Sequence, residues 1–462
     1  MKIHRILVAF VSLWLVLCGC AGAKSKSASE SKLPSAAAPL AEGGIPLAGS
    51  YKVHRYLLDN GLRLLVVEDH SSPTIAYNTW FKVGSRDEVP GLTGLAHLFE
   101  HMMFKGTKNH KEGEFDHILE SAGAEGENAF TSRDYTAYVQ ELPSDKLELI
   151  AQLESDRMVN LMVNEDSFKT EREVVQNERR FRNENSPDGL MYQELFGIAF
   201  NTHSYRWPVI GYEQDLASMK GDNALDFYRT HYSPNHATVV VTGDVTPQHA
   251  YEVVKKYYGS LKPQEAKSHE IPTEPAQTQV RRKQLKLNMQ VEKLMMGYHI
   301  PGIIHEDMPK IDILAGILAG GKSSRLYRAL VETGIASGVE TYDLEDKDPS
   351  LFVVQANLQK GQKAAQAEAI ILRELAKVAK NGVTPEEVAR AKNRLSFGFY
   401  EAMNTNPERA RFLGQYEAVA GDFQSGIDSF QKAQAVTPAD VQAAAQRYLE
   451  PNNRNVITGV SK

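Results

Sequence analysis

Leu95-Ala96-His97-Leu98-Phe99-Glu100-His101-Met102-Met103-Phe104 is the stretch on which the reading of this chain turns. Its apolar residues recur at helical spacing and predict a helix from about Leu92 to Phe104. On such a helix His97, Glu100 and His101 stand at i, i+3 and i+4, so all three side chains project from one face. Two imidazoles one turn apart can share a metal ion. Zinc suits that donor set, and a carboxylate beside the ion can take a proton from water, whose pKa the ion lowers towards 7.

A catalytic zinc site takes three protein ligands and keeps a fourth position open, so a further donor has to come from elsewhere. Downstream, a helix predicted from Ser167 to Phe181 offers Glu171 and Glu178, two helical turns apart and therefore on one face, while Glu173 points away. On spacing alone either carboxylate can ligate.

Around these helices the pattern is mixed. Alternating β-branched and aromatic residues over His54–Val67 and Thr74–Val83 predict strands, with Asn60-Gly61 at a turn. Further helices are expected over Glu114–Ala122, Asp145–Val159 and Pro247–Tyr257, and a strand over Ala237–Val241. Pro263, Pro272 and Pro275 lie in a stretch without periodicity that reads as an inter-domain linker. Beyond it come strands over Gln284–Val291, Leu294–Ile300, Gly338–Leu344 and Leu351–Leu358, a helix over Met308–Leu318, and a helix start at Thr384-Pro385-Glu386-Glu387. Tyr232-Ser233-Pro234-Asn235 leads to Thr242-Gly243, and Tyr448-Leu449-Glu450-Pro451-Asn452 leads to Thr458-Gly459, an echo that predicts a duplicated domain. The expected class is α+β: two homologous α/β sandwich domains, each a sheet with helices packed on it, facing each other as a clamshell.

The N-terminus reads as an export signal. Lys2, His4 and Arg5 precede an apolar run from Ile6 to Leu17, too short to span a bilayer comfortably. Leu17-Cys18-Gly19-Cys20 resembles a bacterial lipobox, which makes Cys20 the lipidated residue; Ala21-Gly22-Ala23 offers an alternative cleavage site that would release a soluble periplasmic protein. By resemblance to bacterial sorting rules, Ala21 after the Cys directs the chain to the outer membrane, facing the periplasm. The expected division is 1–20 signal peptide, 21–50 flexible tether, 51–262 N-terminal metal-binding domain, 263–280 linker and 281–462 C-terminal homologous domain without metal. Cys18 and Cys20 are the only cysteines, so the folded body has no thiol chemistry and no disulfide. With 52 basic and 58 acidic residues well mixed, nothing in the charge points to nucleic acid.

His97-Leu98-Phe99-Glu100-His101, which reverses the common zincin order, together with Glu171 and Glu178 at its spacing downstream, resembles the pitrilysin or insulinase superfamily of inverted-motif zinc peptidases. Gly61-Leu62-Arg63, Phe81-x-Val83-Gly84-Ser85 and Leu95-Ala96 fit the same family, and the resemblance runs over nearly all of residues 51–460. It implies a zinc-dependent metalloendopeptidase acting on peptides or unfolded segments, with one Zn2+ per chain held by His97, His101 and Glu178. It also implies Glu100 as the base and Glu171 as the carboxylate that orients a ligand imidazole. Asn128, Ala129, Phe130 and Thr131 match the family's edge strand above the metal, where an extended peptide can add by β-augmentation.

One departure accompanies the match. Val331 and Ser337 stand where complete members of the family carry an Arg and a Tyr that reach the substrate and the oxyanion. A homologous subunit that lacks the metal motif and supplies the Arg/Tyr pair, making a heterodimer, is therefore the expected partner. The rival expectation is a catalytically weak or inactive peptide-binding scaffold of the same fold, against which the intact motif argues.

Overall fold

A computed structural model describes residues 43–265 and 270–462. The signal segment, Cys20 and the tether up to residue 42 lie outside the described residues. Seven strands form the first sheet: β1 (Ile45–Pro46), β2 (Lys52–Leu57), β3 (Arg63–Glu68), β4 (Thr74–Phe81), β5 (Glu125–Thr131), β6 (Thr136–Pro143) and β7 (Ala237–Gly243), in the order β1-β2-β3-β7-β4-β6-β5. The second sheet contains β8 (Arg281–Leu287), β9 (Lys293–Ile300), β10 (Ala336–Asp343), β11 (Ser350–Leu358) and β12 (Arg454–Ser461), in the order β10-β11-β9-β12-β8.

The duplication expected from the sequence echo is visible in the connections. Strands β3 and β7 pair in parallel, as do β8 and β12, and every other neighbour in the two five-strand sets β3-β7-β4-β6-β5 and β8-β12-β9-β11-β10 is antiparallel. Taken in chain order, β3 to β7 map one by one onto β8 to β12. The echoing Pro234 and Pro451 each open a short 3-10 turn immediately before the closing strand. Strand β7, Ala-Thr-Val-Val-Val-Thr-Gly, is buried at every position because it lies in mid-sheet under cover on both faces.

The hairpin β2-β3 turns at Asn60-Gly61 as expected. Gly61 has φ +86° and presses on Asn235, where a Cβ would sit 2.8 Å from the neighbouring side chain, so both conformation and space require glycine. The tether expected over 21–50 ends sooner than its composition suggests. Ile45 and Pro46 pair with Val53 and Lys52, and Leu47 is buried in the same core as Val53. The stretch 270–280 forms no helix or strand, but Glu274 is clipped to the first half by the backbone N–H groups of Asn201, Thr202 and His203. The strand expected over Gln284–Val291 starts earlier, at Arg281, because its register is set by parallel pairing with β12.

Five helices of the first half build the site and its surroundings: α1 (Leu95–Met102), α2 (Glu114–Ser121), α3 (Leu147–Asn160), α4 (Glu165–Arg179) and α5 (Pro187–Ala199). The first four pack with Pro247–Tyr258 over one face of the first sheet. The other face is covered by a helix from the far half of the chain, Asn406–Val419, whose Phe412, Leu413 and Tyr416 join Leu65, Trp80 and Val240 in one core. Reciprocally, α5 leaves its own half and covers the second sheet, where Met191 and Leu195 meet Met295, Val353 and Ile457. Space for the exchange is provided by glycines: a Cβ on Gly414 would fall 2.0 Å from Trp80 Nε1, and one on Gly459 would fall 2.8 Å from Met191 Sδ. The linker therefore joins two halves that are already interlocked.

Candidate metal centre

Helix α1 has no side-chain cap of its own residues. Its start is fixed from outside: Glu88, buried, accepts from the N–H groups of Gly94 (2.9 Å) and Ala96 (2.8 Å), and Asp215 accepts from the Thr93 hydroxyl at 2.6 Å. A carboxylate at a helix N-terminus satisfies orphan donors and meets the positive end of the helix dipole. Gly94, at φ +91°, brings the chain against the loop ending at Gly211, and a Cβ there would lie 2.5 Å from the carbonyl oxygen of Ile210. Helix α4 begins on Asn164, whose side chain accepts from Ser167 N, and runs out into a π-turn over Arg180–Glu184. Such turns recur at functional sites because they re-aim side chains.

With both helices fixed, His97, His101 and Glu178 bring one ligand atom each to within 4.8 Å of one another. Glu178 Oε2 lies 3.3 Å from His101 Nε2 and 3.8 Å from His97 Nε2. Donors on a tetrahedral zinc at ordinary bond lengths stand about 3.4 Å apart, and two imidazoles with one carboxylate are the donor types that ion prefers, so the residues present fit it. Glu171 is set one layer back: its Oε2 is 3.3 Å from His101 Nδ1 and accepts from that ring N–H, while its Oε1 holds Lys105 Nζ at 2.6 Å. Glu178 Oε1 is taken by Arg182 at 2.6 Å. Glu100 is not among the three, and its Oε2 accepts from Thr131 Oγ1 at 2.6 Å.

The electrostatics divide the two imidazoles. Burial, with the neighbouring His101, lowers His97 to about 4, so that ring is neutral. Burial would lower His101 too, but its hydrogen bonds to Glu171 and Glu178 outweigh it and hold the ring up at about 9. The Glu178 carboxyl is held below the ordinary range, chiefly by its bond to His101. Burial raises Glu100, against the pull of the Thr131 hydroxyl.

Asn128, Ala129, Phe130 and Thr131 lie on β5, which pairs with β6 on one side and forms the edge of the sheet. Alternation splits them. Thr131 turns towards Glu100, whereas Phe130 packs on the opposite face against Trp80 and under Arg411 at 4.5 Å. Val331 packs against the core of the second half, and Ser337 Oγ donates to the Asn357 carbonyl, so neither position presents a cation or a phenol. Lys105 and Arg182 were absent from the residues expected at the site; Arg182 stands four positions after Glu178, which is a readable signal, whereas Lys105 lies beyond the end of α1. Glu88 carries no periodic signal at all, because it reaches α1 from a loop.

The fold pairs two like halves, and the cluster on α1 and α4 carries the inverted His-x-x-Glu-His order with a distant Glu. Residues 63–211 match the family described as Insulinase (Peptidase family M16), and residues 218–395 match the Peptidase M16 inactive domain. A curated relative, the zinc protease PqqE of Helicobacter pylori, is 32% identical over 407 residues, covering 87% of this chain and 91% of its own. The uncharacterized zinc protease YmxG of Bacillus subtilis is 25% identical over 86% of this chain and 96% of its own. Among solved structures, a protease from Helicobacter pylori superposes with a TM-score of 0.84 at 32% identity, over 89% of this chain and 100% of that one. The chain belongs to the M16 peptidase family, whose matched relatives are named zinc proteases.

The split between the two imidazoles has a measurable consequence. A metal ligand must be deprotonated, so zinc added to the metal-free protein near pH 7 should displace one proton, from His101, and none from His97. Apparent affinity should rise about tenfold per pH unit until about pH 9 and then level off. Calorimetry in buffers of different ionisation enthalpy counts the proton, and zero protons released at pH 7 would contradict this assignment.

Proposed function

We propose that this protein is a zinc-dependent metalloendopeptidase in which His97, His101 and Glu178 hold one Zn2+ and Glu100 is the general base. The observation that carries the reading is the meeting of three ligand atoms within 4.8 Å beside a fourth side chain, Glu100, that is tied to the neighbouring edge strand rather than to the cluster. Zinc, when bound, lowers the pKa of water and polarises a carbonyl. Glu100 takes the proton of the attacking water and gives it to the leaving amine, a task for which a carboxyl raised by burial is better matched than an ordinary one. Glu171 orients His101 through Nδ1, fixing which ring nitrogen faces the cluster. Strand β5 receives an extended peptide along its free edge, with Asn128 to Thr131 supplying backbone donors and acceptors.

Three further proposals accompany this one. A homologous subunit without the metal motif supplies the Arg/Tyr pair that Val331 and Ser337 do not. Cys20 is acylated and anchors the mature chain to the membrane. The anchored protein faces the periplasm from the outer membrane.

Glu100→Gln should retain about one zinc per chain with peptidase activity lost, whereas Glu178→Gln should lose the zinc. A Glu100→Gln protein that binds zinc and turns over peptide like the wild type would overturn the mechanism. Wild-type protein that holds zinc yet cleaves no peptide, alone or with a partner, would favour the scaffold reading. Addition of the partner should raise kcat more than it lowers KM, since oxyanion donors act mainly in the transition state. Equal rates with and without it would remove the subunit-sharing proposal. The mass of the mature N-terminus decides the anchor: acylated Cys20 supports it, and an unmodified start at Lys24 refutes it.

A further inference from the structure

Directly beside the candidate ligands a cavity of about 290 Å³ opens, with His97 and Glu178 in its wall. That is room for one side chain and a few ordered waters. The remaining lining sets two guanidiniums, Arg133 and Arg182, and the carboxamides of Asn183 and Gln193 against an apolar wall that includes Phe196 and Trp207.

Arg133 is the informative residue. It is only 7% exposed, and its guanidinium lies 3.8 Å over the Phe196 ring. Nη1 donates to the Tyr192 hydroxyl at 3.2 Å, but Nε, also buried, has no hydrogen-bond partner. Its nearest counter-charge, Asp346, stands 3.9 Å away, at the limit of an ion pair. A guanidinium offers five N–H donors in a fixed fork, and leaving buried donors unused is costly. Gln193 adds to the excess: its carbonyl oxygen accepts from Arg179 at 3.1 Å, so the group it can offer the cavity is its NH2. The one carboxylate in the lining, Glu178, has Oε1 taken by Arg182 and Oε2 turned to the imidazoles. With two guanidiniums and a single carboxylate whose oxygens are both engaged, the cavity is short of anionic acceptors.

We infer that this cavity is a subsite for a carboxylate of the bound peptide, close to the bond that is cut. The carboxylate comes either from an Asp or Glu side chain or from a free C-terminus, and a fork of Arg donors suits both. An apolar side chain would leave Arg133 and Gln193 unsatisfied, and a Lys would meet two like charges. The inference rests on the peptidase reading for the presence of a peptide, but the preference is a property of binding and is measured without turnover.

The probe is a set of peptides carrying Glu, Gln or Lys at successive positions, with ends either blocked or bearing a free C-terminal carboxylate, titrated onto zinc-loaded Glu100→Gln protein. In one register Glu should bind at least about tenfold more tightly than Gln, and Lys more weakly than both. Gln193→Glu keeps the oxygen that accepts from Arg179 and should reverse the order in favour of Lys. If blocking the C-terminus abolishes the preference while side-chain changes do not matter, the terminal carboxylate is the source; the opposite pattern assigns the acidic side chain. Binding that is absent, or equal within twofold for Glu, Gln and Lys peptides in both proteins, overturns the subsite. Selective binding by Glu100→Gln with no cleavage by the wild type overturns the peptidase reading and leaves the subsite standing.

Discussion

Bringing two imidazoles and three carboxyls into one largely buried patch costs solvation for every charge in it, and the site depends on how that cost is offset. Each carboxylate is tied off at one oxygen by a different neighbour. Lys105 holds Glu171, Arg182 holds Glu178 and Thr131 holds Glu100. What remains after these bonds defines the centre: one oxygen of Glu178 and two ring nitrogens turned towards each other, with Glu100 kept aside. The same bonds set the charges, since two neighbouring imidazoles cannot both be cations without strong repulsion, and the one with two carboxylate partners keeps the proton.

These contacts hold only if α1, α4 and β5 are fixed relative to one another, and the second half of the chain takes part in that. Helix α5 follows the π-turn that carries Arg182, and it is seated on the second sheet, so Tyr192 and Phe196 are held from the far half while lining the site. The exit of β5 is tied across as well. Asp134 accepts from the Tyr205 hydroxyl at 2.8 Å and from the backbone N–H of Lys347 at 2.9 Å, and Asp348 accepts from Arg86 at 2.5 Å. Burial and the nearby Asp346 push Asp134 up to about 7. The half without the metal motif therefore braces the wall of the site from behind, through α5 and these ties.

Much of this was written in periodic residues. His97, Glu100 and His101 declare their common face through spacing alone, and so do Glu171 and Glu178, although choosing between the last two needed family resemblance. The hairpin at Asn60-Gly61, the cap at Thr384 and the Pro234/Pro451 echo are local signals, and each corresponds to a local feature. The exchanged helices were not legible as such. Periodicity says that a face is apolar, not what covers it. A hint existed in Asn406–Val419, which buries Ala410, Phe412, Leu413, Tyr416, Ala418 and Val419 around its circumference, the pattern of a helix held between layers. The insertion of β7 between β3 and β4 was hidden for a similar reason, since pairing between segments so far apart in the chain leaves no short-range trace. Arg133 reads in sequence as part of a turn after β5, and only tertiary packing reveals how few of its donors are engaged.

The duplication also explains why the cost of the centre is bearable. Helix α1 is the first α-helix between β4 and β5; the first α-helix between β9 and β10, Met308–Ala319, takes the corresponding place in chain order with Ile311, Ile313, Leu314, Ile317 and Leu318 buried. Each such side chain contributes roughly 1.5 to 3 kcal/mol on burial, whereas a buried imidazole or carboxylate at the matching place needs partners merely to break even. The helix of the second half is thus apolar nearly all round, whereas α1 buries Leu98, Phe99 and Met102 on one side and gives His97 and Glu100 to the site on the other. Because the exchanged helices join the two cores, packing in the second half also restrains the first.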